Sequence, residues 1–177
     1  KKPRSFRRGS PLGRMSNGAV FEDRIVSRTP TIRNERLGEV IMPQGILVIA
    51  EQVDAKFRKV TYEVTSEGRR LADASGQPLT AVVVGAGIES IAAELASFGA
   101  DKVLAVDHPD LSDGTPESYT AALFQVITNT EPKVVLLGAT AQGKDLAARL
   151  AARLDAGLAM DCTSLKLDGD QLVAVRP

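Results

Sequence analysis

The chain has 177 residues, 44% of them apolar and 25% charged, enough for one ordinary globular domain plus an appendage. Its formal net charge of zero hides a split: residues 1–44 hold ten Lys and Arg against four acids, whereas the remainder holds twelve against eighteen. An acidic body with 4% aromatic residues offers neither a phosphate-neutralising surface nor base-stacking rings, which argues against a nucleic-acid partner, and no apolar run approaches the roughly 20 residues of a membrane span.

The head, residues 1–43, carries six basic residues before its first acid, Glu22, and Pro3, Gly9, Pro11, Gly13 and Gly18 interrupt any helix. It reads as a basic arm, disordered or extended. Its origin stays open between an Arg-rich organelle leader, residues left by an expression tag, and translation from upstream of a start at Met15. Residues 22–42 have no apolar period, so they either lie over the body or wander.

From Gly45 onward, short apolar runs alternate with longer amphipathic ones, the pattern of a parallel sheet with helical crossovers. Ile46-Leu47-Val48-Ile49-Ala50 reads as a buried strand. A helix follows over 59–75, with Gly76 suited to its left-handed stop. A second strand covers 79–84, Gly85-Ala86-Gly87 turns, and Ile88, Ile91, Ala92 and Leu95 space a helix over 88–98. The third strand is 103–106. Pro116 after Thr115 opens a helix to 129, and a fourth strand over 134–137 leads to a helix over 144–154. Extended runs over 158–167 and 172–175 meet at Asp168-Gly169-Asp170, a hairpin signal that suggests an antiparallel edge. The expected fold of residues 44–177 is therefore three-layer α/β, with an open, mostly parallel, Rossmann-like sheet and a C-terminal antiparallel hairpin.

Such sheets bind ligands at the carboxyl ends of their strands, which directs attention to the loops after Ala50, Val84, Val106 and Leu137. Gly85 and Gly87 open a helix after a strand, and Asp107 stands 20 residues beyond Gly87, where a dinucleotide-binding unit keeps its ribose acid. The third glycine of that fingerprint is Ser90 here, and another strand precedes this unit, so a structural turn is favoured over a nicotinamide cofactor. In the second loop, Gly138, Thr140, Gly143 and Lys144 are candidates for an anion or cofactor contact, because backbone amides at a helix start can cradle negative charge. Asp145 occupies the place of a P-loop hydroxyl and would repel phosphate, so a helix cap and packing surface is the competing reading.

Cys162 is the single cysteine and His108 the single histidine, so an intrachain disulfide is excluded and a thiolate-imidazole metal site has too few ligands. The strand-like setting of Cys162 favours a small buried thiol over a nucleophile. Asp107 and Asp161 are acids of interest by position alone, and no Ser/His/acid set emerges, so no residue is assigned a catalytic role.

Taken in order, Ile46 to Glu51, Arg58-Lys59-Val60-Thr61, Leu71-Ala72, Gly85-Ala86-Gly87, Phe98 to Val103, Gly138-Ala139-Thr140, Gly143 to Ala147, Arg149 to Leu154 and Asp161-Cys162-Thr163 resemble the alpha subunits of electron transfer flavoproteins. The ordered series spans nearly all of the body. The resemblance implies a nucleotide alpha-hydrolase-like domain that serves as the non-flavin scaffold of an alpha-beta heterodimer. It implies FAD held mainly by a C-terminal domain beyond this sequence, with no cofactor expected on this chain alone. It further implies an electron carrier rather than a self-sufficient catalyst, partnered by the beta subunit and by flavin dehydrogenases such as those for acyl-CoA. The setting is the bacterial cytoplasm or, alternatively, the mitochondrial matrix. The competing expectation is a stand-alone nicotinamide- or adenine-nucleotide-binding protein using Gly85, Gly87 and Asp107.

Overall fold

The computed structural model describes Ile32–Arg33, Val40–Ile41 and residues 44–177 except Asp170. Ile32–Arg33 pairs antiparallel with Val40–Ile41; the rest of the arm expected over 1–43 lies outside the described residues.

Four parallel strands form the central sheet: β1 (Ile46–Ala50), β2 (Leu79–Gly85), β3 (Lys102–Asp107) and β4 (Val134–Leu136), in the order β3-β2-β1-β4. Ile46 lies opposite Leu79 on one side and Val134 on the other, so β1 is central and buried along its whole length. That burial is why its sequence is apolar at every position rather than at alternate ones. The connecting helices are α1 (Lys59–Ser75), α2 (Glu89–Ser97), α3 (Pro116–Thr130) and α4 (Ala141–Leu154).

The helices divide between the two faces. Leu47, Ile49, Val82 and Val84 pack with Leu123 and Ile127 of α3 and with Leu146 and Leu150 of α4. Ile46, Val48 and Leu136 face the other way, onto Leu71 and Ala72 of α1. Ala81 and Val83 meet Leu95 of α2 on that second side. Local chemistry fixes the helix limits: Gly76, at φ 64°, closes α1, and Thr115 caps α3 with its hydroxyl accepting from Ser118 N just before Pro116.

Three features depart from the sequence-based expectation. Helix α4 begins at Ala141 instead of residue 144, because the Thr140 hydroxyl accepts from Gly143 N at 3.0 Å and winds the candidate loop into the first helical turn. Residues 158–163 are not strand; β5 spans only Ser164–Asp168, antiparallel to β6 (Gln171–Val175). This hairpin forms its own two-stranded ladder instead of bonding to the sheet edge, and Leu165, Leu167 and Leu172 pack it onto the α1-side core. Arg70 of α1 donates to Leu165 O, tying the hairpin to the helix.

Candidate functional site

The two loops singled out by sequence lie at the carboxyl end of the sheet: in the first a carboxylate of the chain itself occupies the amide cradle, and in the second a buried carboxyl group takes the Thr140 hydroxyl. At the β2–α2 turn, the Asp107 carboxylate accepts from Gly87 N at 2.8 Å, Ile88 N at 2.7 Å and Glu89 N at 3.2 Å. The Gly87 amide contributes most to holding Asp107 below the ordinary carboxylate range, and the Ile88 and Glu89 amides act in the same direction. These are the amides a pyrophosphate would need. Gly85 is backed by Gln52, whose Nε2 donates to Val84 O at 3.3 Å and to Tyr119 OH at 3.4 Å; a Cβ at Gly85 would stand 2.6 Å from that nitrogen.

At the start of α4, Gly138, Thr140 and Gly143 surround Glu51, the residue after β1. Glu51 is 7% exposed, and its Oε1 accepts from the Thr140 hydroxyl at 2.7 Å. Its Oε2 accepts from Arg58 Nη1 at 3.3 Å. The backbone around it is equally tied down: Thr61 Oγ1 donates to Glu51 O at 2.7 Å and accepts from Glu51 N at 2.8 Å. A Cβ on Gly138 would lie 3.1 Å from Glu51 Oε1, and one on Gly143 would lie 3.0 Å from it. Lys144, the fourth candidate, points elsewhere and pairs with Asp161 at 2.6 Å. Thr140 and the two glycines are thus brought together around a carboxyl group, and Lys144 is held apart from them.

Sequence reading missed Glu51, Arg58 and Thr61 as members of this cluster. The signal was an acid placed directly after an all-apolar strand, together with Thr61 on the buried face of α1.

Of the remaining candidates, Cys162 is half-buried in an irregular segment rather than a strand, and burial pushes its thiol upward, away from thiolate character. His108 is exposed and accepts from Asp110 N at 3.2 Å. Among the described residues no group of three or more His, Cys, Asp and Glu could hold a metal ion, and no helix is long and apolar enough to cross a membrane. Beside β4 lies a cleft of about 470 Å³ lined by Val60, Val64, Val135, Leu137, Ala147 and Leu154, among others.

Residues 46–177 match the electron transfer flavoprotein domain family. The chain belongs to that family. It is 44% identical over 130 residues to the acryloyl-CoA reductase electron transfer subunit beta of Anaerotignum propionicum, covering 73% of this chain and 35% of that protein. It is 43% identical over 130 residues to the electron transfer flavoprotein subunit alpha of Thermoanaerobacterium thermosaccharolyticum, covering 73% of this chain and 39% of that protein. It is 37% identical over 135 residues to the lactate dehydrogenase (NAD(+),ferredoxin) subunit LctC of Acetobacterium woodii, covering 76% and 32% respectively. The chain therefore spans about a third to two-fifths of the length of these relatives.

Membership of an electron transfer flavoprotein family and the filled β2–α2 cradle argue together against the stand-alone nucleotide-binding alternative. The cradle also has a pH signature. Because the folded-state pKa of Asp107 lies below its unfolded value, its contribution to stability is fully present above the ordinary carboxylate range and is lost as pH falls through the lowered value. Asp107→Asn is expected to flatten the acid limb of a melting-temperature profile taken from about pH 5 to pH 2. An unchanged acid limb would show that the three amide contacts carry no linked proton.

Proposed function

We propose that this chain is the non-flavin α/β domain of an electron transfer flavoprotein alpha subunit, acting as a scaffold and partner surface within an alpha-beta heterodimer. Residues 44–177 form the domain, and residues 1–43 are an appendage to it. The observation that carries the reading is the family match over 46–177 on a fold whose β2–α2 amide cradle is filled by Asp107 and whose Thr140 hydroxyl is taken by Glu51. With those amides and hydroxyls engaged internally, little remains to hold a cofactor pyrophosphate, so FAD is assigned mainly to residues outside this chain. Gly138, Thr140 and Gly143 then serve packing and capping around Glu51, and Lys144 pairs with Asp161.

In the assembled protein the electron-carrying group is the flavin. This chain's contribution is to dock the beta subunit, and the complex passes electrons from flavin dehydrogenases, such as those of fatty acid beta-oxidation, to a respiratory or soluble acceptor. It acts as a carrier subunit and not as a self-sufficient catalyst. The setting that fits its bacterial relatives is the bacterial cytoplasm.

The expected result is a colourless protein when the chain is purified alone, with no stoichiometric flavin absorbance, and formation of a complex when a beta subunit is added. Co-purification with one tightly bound flavin per chain would overturn this division of labour. Micromolar affinity for a nicotinamide cofactor or an adenine nucleotide would favour the stand-alone reading instead.

A further inference from the structure

Strand β3 forms one edge of the central sheet: it pairs with β2, and among the described strands none bonds to its outer side. Asp101 N donates to Leu79 O, so the two-residue alternation of a strand turns the N–H and C=O groups of Lys102, Leu104 and Val106 outward. Edge strands are commonly guarded along their length by charge, bulges or proline. Here Lys102 and Asp107 stand only at the two ends, and the residues between them are Val103, Leu104, Ala105 and Val106.

Both helix layers turn apolar or small side chains towards the same edge. On one face, Phe124 of α3 meets the Arg153 guanidinium and Glu117 pairs with Arg149, so that flank of α3 lies against α4. The opposite flank, which faces β3, carries Ala122 and Val126, half-buried in the same layer as Leu104 and Val106. On the other face, Tyr62 of α1 donates to Glu94 and its ring meets Phe98, so that flank of α2 lies against α1. The opposite flank carries Ala92 and Ala96, side chains small enough for a second helix to approach closely, and Ala96 and Ala105 are exposed.

We propose that β3 is the interface between two copies of this chain, which join their sheets edge to edge about a two-fold axis perpendicular to the sheet. Two features select a second copy in antiparallel orientation. Outward peptide groups recur at alternate residues, so Leu104 meets either Leu104 or Val106 of the second copy, and each hydrogen bond is made twice. The charges agree as well. Antiparallel pairing sets Lys102 of each copy at the acidic end of the other β3, where Asp107 and Asp110 stand, whereas parallel pairing would set Lys102 against Lys102. The same axis brings α2 against α2 and α3 against α3, so the small and apolar flanks cover one another. The contact uses no residue of the Glu51 cluster and does not depend on where the flavin sits.

Sedimentation equilibrium of this chain, from low micromolar to near-millimolar concentration, is expected to show the mass rising to twice that of the monomer. Amide hydrogen exchange at Leu104 and Val106 should slow by about tenfold or more over the same range. Ala96→Arg and, independently, Ala105→Arg place a charge at exposed positions of the interface, so each should keep the far-ultraviolet spectrum of the parent chain and leave a monomer. A chain that stays monomeric throughout the range would overturn the proposal. So would a dimer that both arginine variants retain, or one without slowing at Leu104 and Val106. Slowing at these two amides that appears only when an electron transfer flavoprotein beta subunit is added would also overturn it, by assigning the edge to the heterodimer.

Discussion

Gly143→Ala is expected to destabilise the domain by about 3 kcal/mol or more, although alanine in a helix is ordinarily favoured over glycine by about 1 kcal/mol. The inversion follows from where the Cβ would go. It would lie 2.0 Å from the carbonyl oxygen of Gly138 and 3.2 Å from that carbonyl carbon, atoms of backbone that cannot rotate aside. Relief requires α4 to move off the β4 loop, which breaks the Thr140 cap at Gly143 N and the contact of Thr140 with Glu51. Gly68→Ala is the comparison. Its Cβ would meet Val48 Cγ2 at 2.7 Å and Leu79 Cδ1 at 3.0 Å, side-chain atoms that can shift, so a smaller loss of about 1–2 kcal/mol is expected. Urea unfolding of both variants measures the difference. Equal stability of Gly143→Ala and the parent chain would show that α4 is free to slide on the sheet.

Glu51→Ala should cost about 2–3 kcal/mol, the second largest effect. The side chain is almost fully enclosed between the ends of β1 and β4, and its removal leaves a cavity facing the Thr140 hydroxyl. That hydroxyl then loses its acceptor in a part-buried site, which adds to the cost of the cavity. The ion pair with Arg58 adds little, because the Arg58 side chain is 47% exposed and well solvated. Glu51→Gln keeps an oxygen for Thr140 and the same volume, so it should lose no more than about 1 kcal/mol. Chemical denaturation at neutral pH separates the two. If Gln and Ala were equally harmful, charge at residue 51 would matter more than the hydrogen bond and the volume.

Together these substitutions describe a clasp in which Thr61 holds the backbone of Glu51, Glu51 holds Thr140, and Thr140 starts α4. Two loops from distant parts of the chain are set by one buried carboxyl group and two hydroxyls. Such a network is rigid when all its members are satisfied and weak when one is missing. The scaffold role proposed above would draw on that rigidity, since a partner gains affinity when the surface it meets does not have to be ordered on binding.

The sequence by itself determined the elements and their kind. The all-apolar run at 46–50 and the run at 79–84, polar only at Thr80, read as buried strands, Gly76 ended α1 at the expected residue, and Pro116 opened α3 where its missing amide costs nothing. These signals are local, written in neighbouring residues. The ordered series of short segments identified the family for the same reason. What the tertiary structure alone decided was the use of each polar residue. Asp107 carries the spacing of a ribose acid, yet it caps α2 because β3 ends beside that helix start; Glu51 follows a strand with nothing in its neighbours to mark it, and only the approach of Thr140 at the start of α4 gives its carboxyl group a partner. The run 158–167 has strand composition, but only 164–168 finds a partner, in β6. Strand propensity is satisfied by pairing, and pairing depends on which edge is within reach, a property of the assembled sheet and not of the segment.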